Sequence, residues 1–433
     1  MMNHRSLRHF AGFALALAVI LGGSTLFYAN RASRYASHLQ SIYQSALSQM
    51  MGSLSSMDTA LEKTPYASDA MRQSLAADIW RESSSAAALL SSLPVSSDGT
   101  EALSAYLSKT ADFAHYLLRS ELYGGDGASQ WDTLSALRRN SREMLNALAP
   151  LKEQLDAGEL LFPDPVLPGD GTFEASLTAL NDGFPVCPSL NYDGACSDHM
   201  ASRTASALAQ EKPVSREECE KSAKKLLGAQ AEFSGACEGR IPAYLFTDGE
   251  RTAFFSKAGG MLLSFCDPRD VGKAQMAQAD AIRSAEDFVK SIGLTTFRSG
   301  DSTMNGGVCT VVLSDAESGA KAYGDSVRVG VAMDNGDVVR FDASDYLMNH
   351  KARLPESPAF FAADARALLD PELSVASEEA VYRLSAGQQD VLCWEYVCND
   401  ESDGSVVYYI NCETGQIEAL ELLTETENGT LRR

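Results

Sequence analysis

The sequence predicts an α+β multidomain protein. The expected order is an N-terminal transmembrane helix, an antiparallel helical bundle, and three small modules, each a helix plus a three-stranded antiparallel sheet. Three observations carry this expectation. Residues 10–29 contain no charged side chain. Apolar residues from Tyr43 to Leu155 recur at helical spacing. Beyond Ser215, glycine-bearing hairpin turns recur at Gly260, Gly336 and Gly415, separated by 76 and 79 residues.

The uncharged run is twenty residues long. At a rise of about 1.5 Å per residue it matches a hydrocarbon core of about 30 Å. Arg5 and Arg8 precede it, and Arg31 and Arg34 follow. The segment Tyr28-Ala29-Asn30-Arg31 is a poor cleavage site, so an uncleaved anchor is expected at 10–29. A short cytoplasmic head at 1–9 then leaves the bulk of the chain outside the cytoplasm.

The next segment, 30–162, reads as four helices. Tyr43, Leu47, Met50, Leu54, Met57 and Leu61 alternate in steps of four and three, the seam of a helix lying along a neighbour. After Pro65, Met71, Leu75, Ile79, Ala86, Leu90 and Leu93 form a second stripe, ended by Pro94. Leu103, Tyr106, Thr110, Phe113 and Leu117 form the third. Trp131, Leu134, Leu137, Met144, Leu148, Leu151 and Leu155 form the fourth. Short connections between such helices imply an up-and-down bundle or two hairpins.

Residues 163–212 are rich in Pro, Gly, Asp and Asn and read as an ordered linker. They contain Cys196, Asp198 and His199, a set that invites comparison with a thiol protease. Such pairs work by spatial geometry rather than sequence adjacency, so a structural role is expected for each.

The modules follow at 213–272, 278–347 and 357–425, with a tail at 426–433. Ser215-Arg216-Glu217-Glu218 is a capping box opening the first module's helix, and Gly228 stops it. Strands are expected at Ala243–Thr247, Thr252–Ser256 and 261–265. The second module has a helix through Ile282, Ala285, Val289 and Ile292, stopped by Gly293. Its strands are expected at 308–313, 326–333 and 338–343. Val327, Val329, Val331 and Met333 alternate, so one face of that strand is buried. The third has a helix near 362–369 and strands at 391–398, 406–411 and 416–422. The turns at Gly259-Gly260, Asn335-Gly336 and Thr414-Gly415 require positive φ. A helix with antiparallel strands at a fixed period marks a tandem repeat.

The net charge of −22 is uneven: residues 1–160 carry a net of −2 and residues 161–433 a net of −20. An acidic body repels phosphate backbones, which excludes nucleic acid as a partner. The nine cysteines show no C-x-x-C and no zinc spacing. Cys393 and Cys398 lie about 16 Å apart on opposite faces of one expected strand, too far to pair. No nucleophile elbow, H-E-x-x-H or P-loop is present. His199 and His350, the histidines of the repeat-bearing half, are expected to be hydrogen-bonded structural residues. No catalytic, cofactor-binding or metal-binding residue is assigned, and no cofactor is expected.

Several strings carry a family resemblance. They are Trp80-Arg81-Glu82, Phe184-Pro185 with Tyr192-Asp193-Gly194 and Ser197-Asp198-His199, Lys257-Ala258-Gly259-Gly260, Val331-Ala332-Met333-Asp334-Asn335-Gly336, Tyr346-Leu347-Met348-Asn349-His350 with Arg353, and Tyr409-Ile410-Asn411-Cys412-Glu413-Thr414-Gly415. In this order they resemble the YpeB family of sporulation and germination proteins, and the repeats resemble PepSY modules. The resemblance implies a single-pass protein of the spore inner membrane, its bulk extracytoplasmic and close to the peptidoglycan cortex. It implies a partner, the cortex-lytic enzyme SleB, which the protein binds, localises, and stabilises or restrains. The protein itself is then not an enzyme. Two other readings fit the residues: a cell-wall hydrolase in its own right, or a membrane-anchored extracytoplasmic sensor.

Overall fold

The computed structural model describes residues 4–123, 131, 133–157, 162, 173–353, 358–399, 404–426 and 429–432. It divides into two compact units, Met1–Asp198 and His199–Arg433.

The first unit is helical. α1 (His4–Lys63), α2 (Asp69–Ser91), α3 (Glu101–Tyr123) and α4 (Thr133–Asp156) pack with α2 between α1 and α3, and α4 against α1. The stripes read from the sequence form the core. Leu47, Met50, Leu54, Met57 and Leu61 of α1 meet Leu75, Ile79, Ala86, Leu90, Leu103, Tyr106, Phe113, Leu117, Leu134, Leu137, Met144 and Leu148. Met71 departs from this pattern and is exposed. A fifth helix, α5 (Phe173–Asp182), adds Phe173 and Leu177 to the same core. Its Asn181 carboxamide oxygen accepts from the Ala102 and Leu103 amides at 2.8 and 3.4 Å, capping the open N-terminus of α3.

The transmembrane anchor expected at 10–29 is overturned. Among the described residues no helix is long and apolar enough to cross a membrane. The backbone of that stretch runs without interruption into the amphipathic remainder of the sixty-residue α1, where Asn30, Arg31 and Arg34 are exposed. The side chains of residues 4–20 lie outside the described residues.

The second unit, after the short helix α6 (Asp198–Ala201) at the boundary, carries the repeats. The first comprises α7 (Arg216–Leu227) and β1 (Glu232–Cys237), β2 (Ala243–Thr247), β3 (Thr252–Ser256) and β4 (Leu262–Cys266). The second comprises α8 (Gln278–Ser291), β5 (Phe297–Asn305), β6 (Val308–Asp315), β7 (Lys321–Ala332) and β8 (Val338–Asp342), followed by α9 (Ser344–Asn349). The third comprises α10 (Ala362–Arg366), β9 (Ser374–Leu384), β10 (Asp390–Asn399), β11 (Ser405–Asn411) and β12 (Ile417–Thr426), with β13 (Gly429–Arg432) at the end. The capping box is formed: the Ser215 hydroxyl accepts from the Glu218 amide, and the Glu218 carboxylate accepts from the Ser215 amide.

Two further corrections to the expected fold concern the sheet. Each repeat has four strands rather than three, because a half-exposed strand with a polar sequence precedes the three apolar ones. The repeats also share one thirteen-stranded sheet, in the order β1-β2-β3-β4-β8-β7-β6-β5-β13-β12-β11-β10-β9. A parallel pairing of β7 with β9, at Lys321↔Val381 and Ala322↔Tyr382, adds a second link between the second and third repeats. The path from β7 through β6, β5, β13, β12, β11 and β10 to β9 therefore closes into a ring of eight strands.

Candidate functional site

The residues singled out between 192 and 199 do not converge. The Cys196 amide donates to the Asp112 carboxylate at 2.8 Å, and the Tyr192 hydroxyl donates to the same oxygen at 2.7 Å. Packing around the sulfur, together with the Asp112 charge, pushes the Cys196 thiol pKa up. An activated nucleophile needs the opposite shift. Asp198 accepts from the Lys109 ammonium at 2.5 Å and from the Leu190 amide at 2.7 Å. Desolvation alone would raise the Asp198 carboxyl; the Lys109 and Leu190 bonds outweigh it and hold the pKa below the ordinary carboxylate range. His199 belongs to the second unit, and its Nε2 lies 2.8 Å from the Gly387 carbonyl oxygen, so that nitrogen carries the proton.

The strongest concentration of buried charge lies at the junction of the second and third repeats. Asp325 of β7 is fully buried. Its carboxylate accepts two bonds from Arg353, at 2.6 and 2.9 Å, and one from His350 Nδ1, at 2.7 Å. Arg353 also reaches Asp390 at the start of β10, with two contacts of 3.0 Å. Its guanidinium lies 5.2 Å from the centre of the Tyr382 ring. Asp315, at the end of β6, is buried 3.8 Å from His350 Nδ1. The Tyr346 ring lies 4.7 Å from the His350 ring, tilted by 32°, and the Asn349 side-chain amide donates to the Gly324 carbonyl. The string Tyr346–His350 with Arg353 is thus a fastener. It supplies the cations that the buried Asp325 of the second repeat requires, and its Arg353 joins that carboxylate to the half-buried Asp390 of the third.

These contacts set the protonation states. Hydrogen bonding to Asp325 raises the His350 pKa against the opposing effect of burial. Burial would raise Asp325, but Arg353 and His350 hold it below the ordinary range. Asp315, Asp325 and His350 also have the spacing of a three-ligand metal site. Both oxygens of Asp325 are already taken by a bidentate guanidinium, which supplies the charge compensation a cation would bring. The cluster fits an ion-pair knot better than a metal centre.

A second, half-buried network joins the ring, with Glu395 and Tyr409 its buried members. Tyr323 of β7 donates to Glu395 of β10 at 2.7 Å. Arg432 of β13 lies 2.6 Å from Asp301 of β5 and 3.4 Å from Glu395, and also contacts the Tyr409 hydroxyl of β11. Arg383 of β9 pairs with Glu421 of β12 at 2.8 Å and lies 3.8 Å from the centre of the Tyr409 ring. Groups from strands that are not neighbours can meet only across the ring interior. Of its members only Tyr409 lies in one of the strings quoted above, and the whole network is spread over 131 residues.

Elsewhere in this unit, a groove of about 470 Å³ opens between α7 and the end of α8. Leu226, Phe255, Met261, Leu262, Ile292 and Leu294 are among the side chains that line it.

The architecture defines a class: a helical unit followed by tandem PepSY-type repeats. Comparison with known families assigns the member. A family model described as YpeB N-terminal matches residues 31–164, and one described as YpeB sporulation, PepSY1 and PepSY2 domains matches residues 173–355. The chain belongs to the YpeB family of sporulation proteins. It is similar to the sporulation protein YpeB of Halalkalibacterium halodurans, 29% identical over 42% of this chain and 42% of that one. It is also similar to the protein of that name from Bacillus subtilis, 28% identical over 40% of this chain and 38% of that one. The matched stretch thus spans about two fifths of these relatives' length. The solved Bacillus megaterium YpeB C-terminal domain is similar with a TM-score of 0.45 and 23% identity, over 49% of this chain and 99% of that one.

Proposed function

We propose that this protein serves spore germination by contact. It binds, localises, and stabilises or restrains a cortex-lytic peptidoglycan hydrolase of the SleB type, outside the cytoplasm and beside the cortex. The observation that carries the reading is the match of PepSY repeats behind a YpeB N-terminal domain, in a family whose relatives are named as sporulation proteins. The chemistry of the most reactive-looking residues supports contact rather than turnover. Cys196 has a raised thiol pKa, Asp198 is occupied by Lys109, and His199 bonds a backbone carbonyl.

The test is to measure the hydrolase in dormant spores with and without this gene. Loss of the enzyme without the gene, restored by the full chain, supports the reading; unchanged enzyme overturns it. Muropeptides released from cortex peptidoglycan by the purified full chain alone would establish the rival reading, a hydrolase in its own right.

A further inference from the structure

The three repeats cover their sheets unequally. In the first, Cys219, Ala223 and Leu227 of α7 share a core with Phe246, Ala253, Phe255 and Phe265. In the second, Ala281, Ala285 and Val289 of α8 share that core with Val311, Leu313, Val329 and Phe341. These helices have 12 and 14 residues. The third helix, α10, has five. It brings Ala365, with Leu369 just beyond, onto Tyr396, Cys398 and Ile410.

The strand register shows what remains uncovered. Tyr396 lies opposite Tyr408, and Cys398 opposite Val406. Tyr408 in turn lies opposite Leu420, and Val406 opposite Leu422. Directly opposed residues share a face of a sheet. Leu420 and Leu422 therefore extend the very face that α10 begins to cover, yet they are 51% and 52% exposed. Ile417 on the same strand, and Phe361 and Leu368 beside α10, are exposed as well. An apolar patch of this kind marks a contact surface. The segment is acidic overall, with three basic and fifteen acidic side chains over residues 358–432, and on this side of the sheet the Glu378 carboxylate lies opposite Tyr396.

We propose that this uncovered face, centred on Leu420 and Leu422, docks an amphipathic helix of a partner protein, three to four turns long, with a basic polar side. The proposal rests on the binding function above and adds the surface to it. The first two repeats set the manner and length, since each seats its own helix of 12 or 14 residues on the corresponding face. The local charge sets the sign, because a negative surround draws a cationic helix and repels an anionic membrane.

The test uses the full chain and a fluorescein-labelled 14-residue peptide of leucine and lysine, with leucines at the i, i+3, i+4, i+7 spacing. Fluorescence anisotropy reads its binding. The peptide is expected to bind, more weakly as salt rises, and its glutamate counterpart to bind far less. The double variant L420S/L422S is expected to lose about tenfold or more in affinity with its thermal unfolding unchanged, since both side chains are already half in water. Equal binding by wild type and variant overturns the proposal, and so does equal binding of the acidic peptide. A wild-type dimer that the variant turns into monomer also overturns it, assigning the face to a second copy. In spores, L420S/L422S is expected to deplete the hydrolase. Normal hydrolase levels with this variant would remove the face as the enzyme's dock while leaving the proposed function standing, because only full deletion of the gene tests that function.

Discussion

Replacing Arg353 with methionine is expected to be among the most damaging single changes in the repeat-bearing unit. The guanidinium is 7% exposed and spans Asp325, which is 0% exposed, and Asp390. Methionine keeps much of the stem volume and removes the charge and all five donors. Two aspartates on different repeats then lose their main counter-ion. Removing one partner of a buried ion pair costs about 3–5 kcal/mol, because the remaining charge cannot return to water. In a unit of this size each kcal/mol moves the midpoint by about 2–4 °C, so a fall of roughly 6–20 °C is expected. Differential scanning calorimetry and urea unfolding of the full chain, following the strand signal, measure it. Adding Asp325→Asn should return part of the loss, since the worst orphaned carboxylate is then neutral, and the double-mutant cycle should show strong coupling. A loss below about 1 kcal/mol would refute the reasoning. It would show that water reaches Asp325 and that the repeats are not fastened there.

His350 gives a pH dependence of defined sign. Its pKa is raised above the ordinary value of 6.5, so its contribution is complete below that value and is lost as pH rises through the raised one. The wild type should lose stability across that window and His350→Gln should not; parallel melting curves of the two proteins would refute this. Gly429→Ala should detach β13. Gly429 has φ of +117° and an added Cβ would sit 2.1 Å from the Ser302 carbonyl oxygen, so Arg432 should leave Asp301 and Glu395. Faster hydrogen exchange in β12 and β5 would be the sign, and wild-type protection there would refute it.

What the sequence made legible follows from how local each feature is. The seam from Leu47 to Leu61, the capping box at Ser215, and the positive φ of Gly260, Gly336 and Gly415 depend on residues within a turn or two of one another, and the structure holds all of them. The first strand of each repeat was missed because β1, β5 and β9 are half-exposed and rich in Ser, Gly and Glu, so their alternation is weak. Met71 fell on a helical stripe but faces water, since the stripe of α2 begins one turn later at Leu75. The ion networks were out of reach for a different reason. Asp325 and Asp390 are 65 residues apart, and Asp301 and Arg432 are 131 apart. Nothing in the local spacing of a lone aspartate says that a distant arginine will bury it.

The same networks decide how the function can be tested. Removing the third repeat at 357–425 appears at first the direct way to ask whether it holds a partner. That deletion also takes Asp390 from Arg353, β9 from β7, and Glu395 and Glu421 from the ring that β13 closes onto β5. Arg353 would remain at the edge of the second repeat with one of its two carboxylates gone. Loss of the hydrolase after such a deletion would therefore report broken folding as readily as a lost contact. Leu420 and Leu422 lie on the opposite side of the sheet from Glu395, Tyr409 and Glu421, and their side chains enter neither network. Their replacement separates contact from stability, which deletion of a repeat fused into a common sheet cannot do.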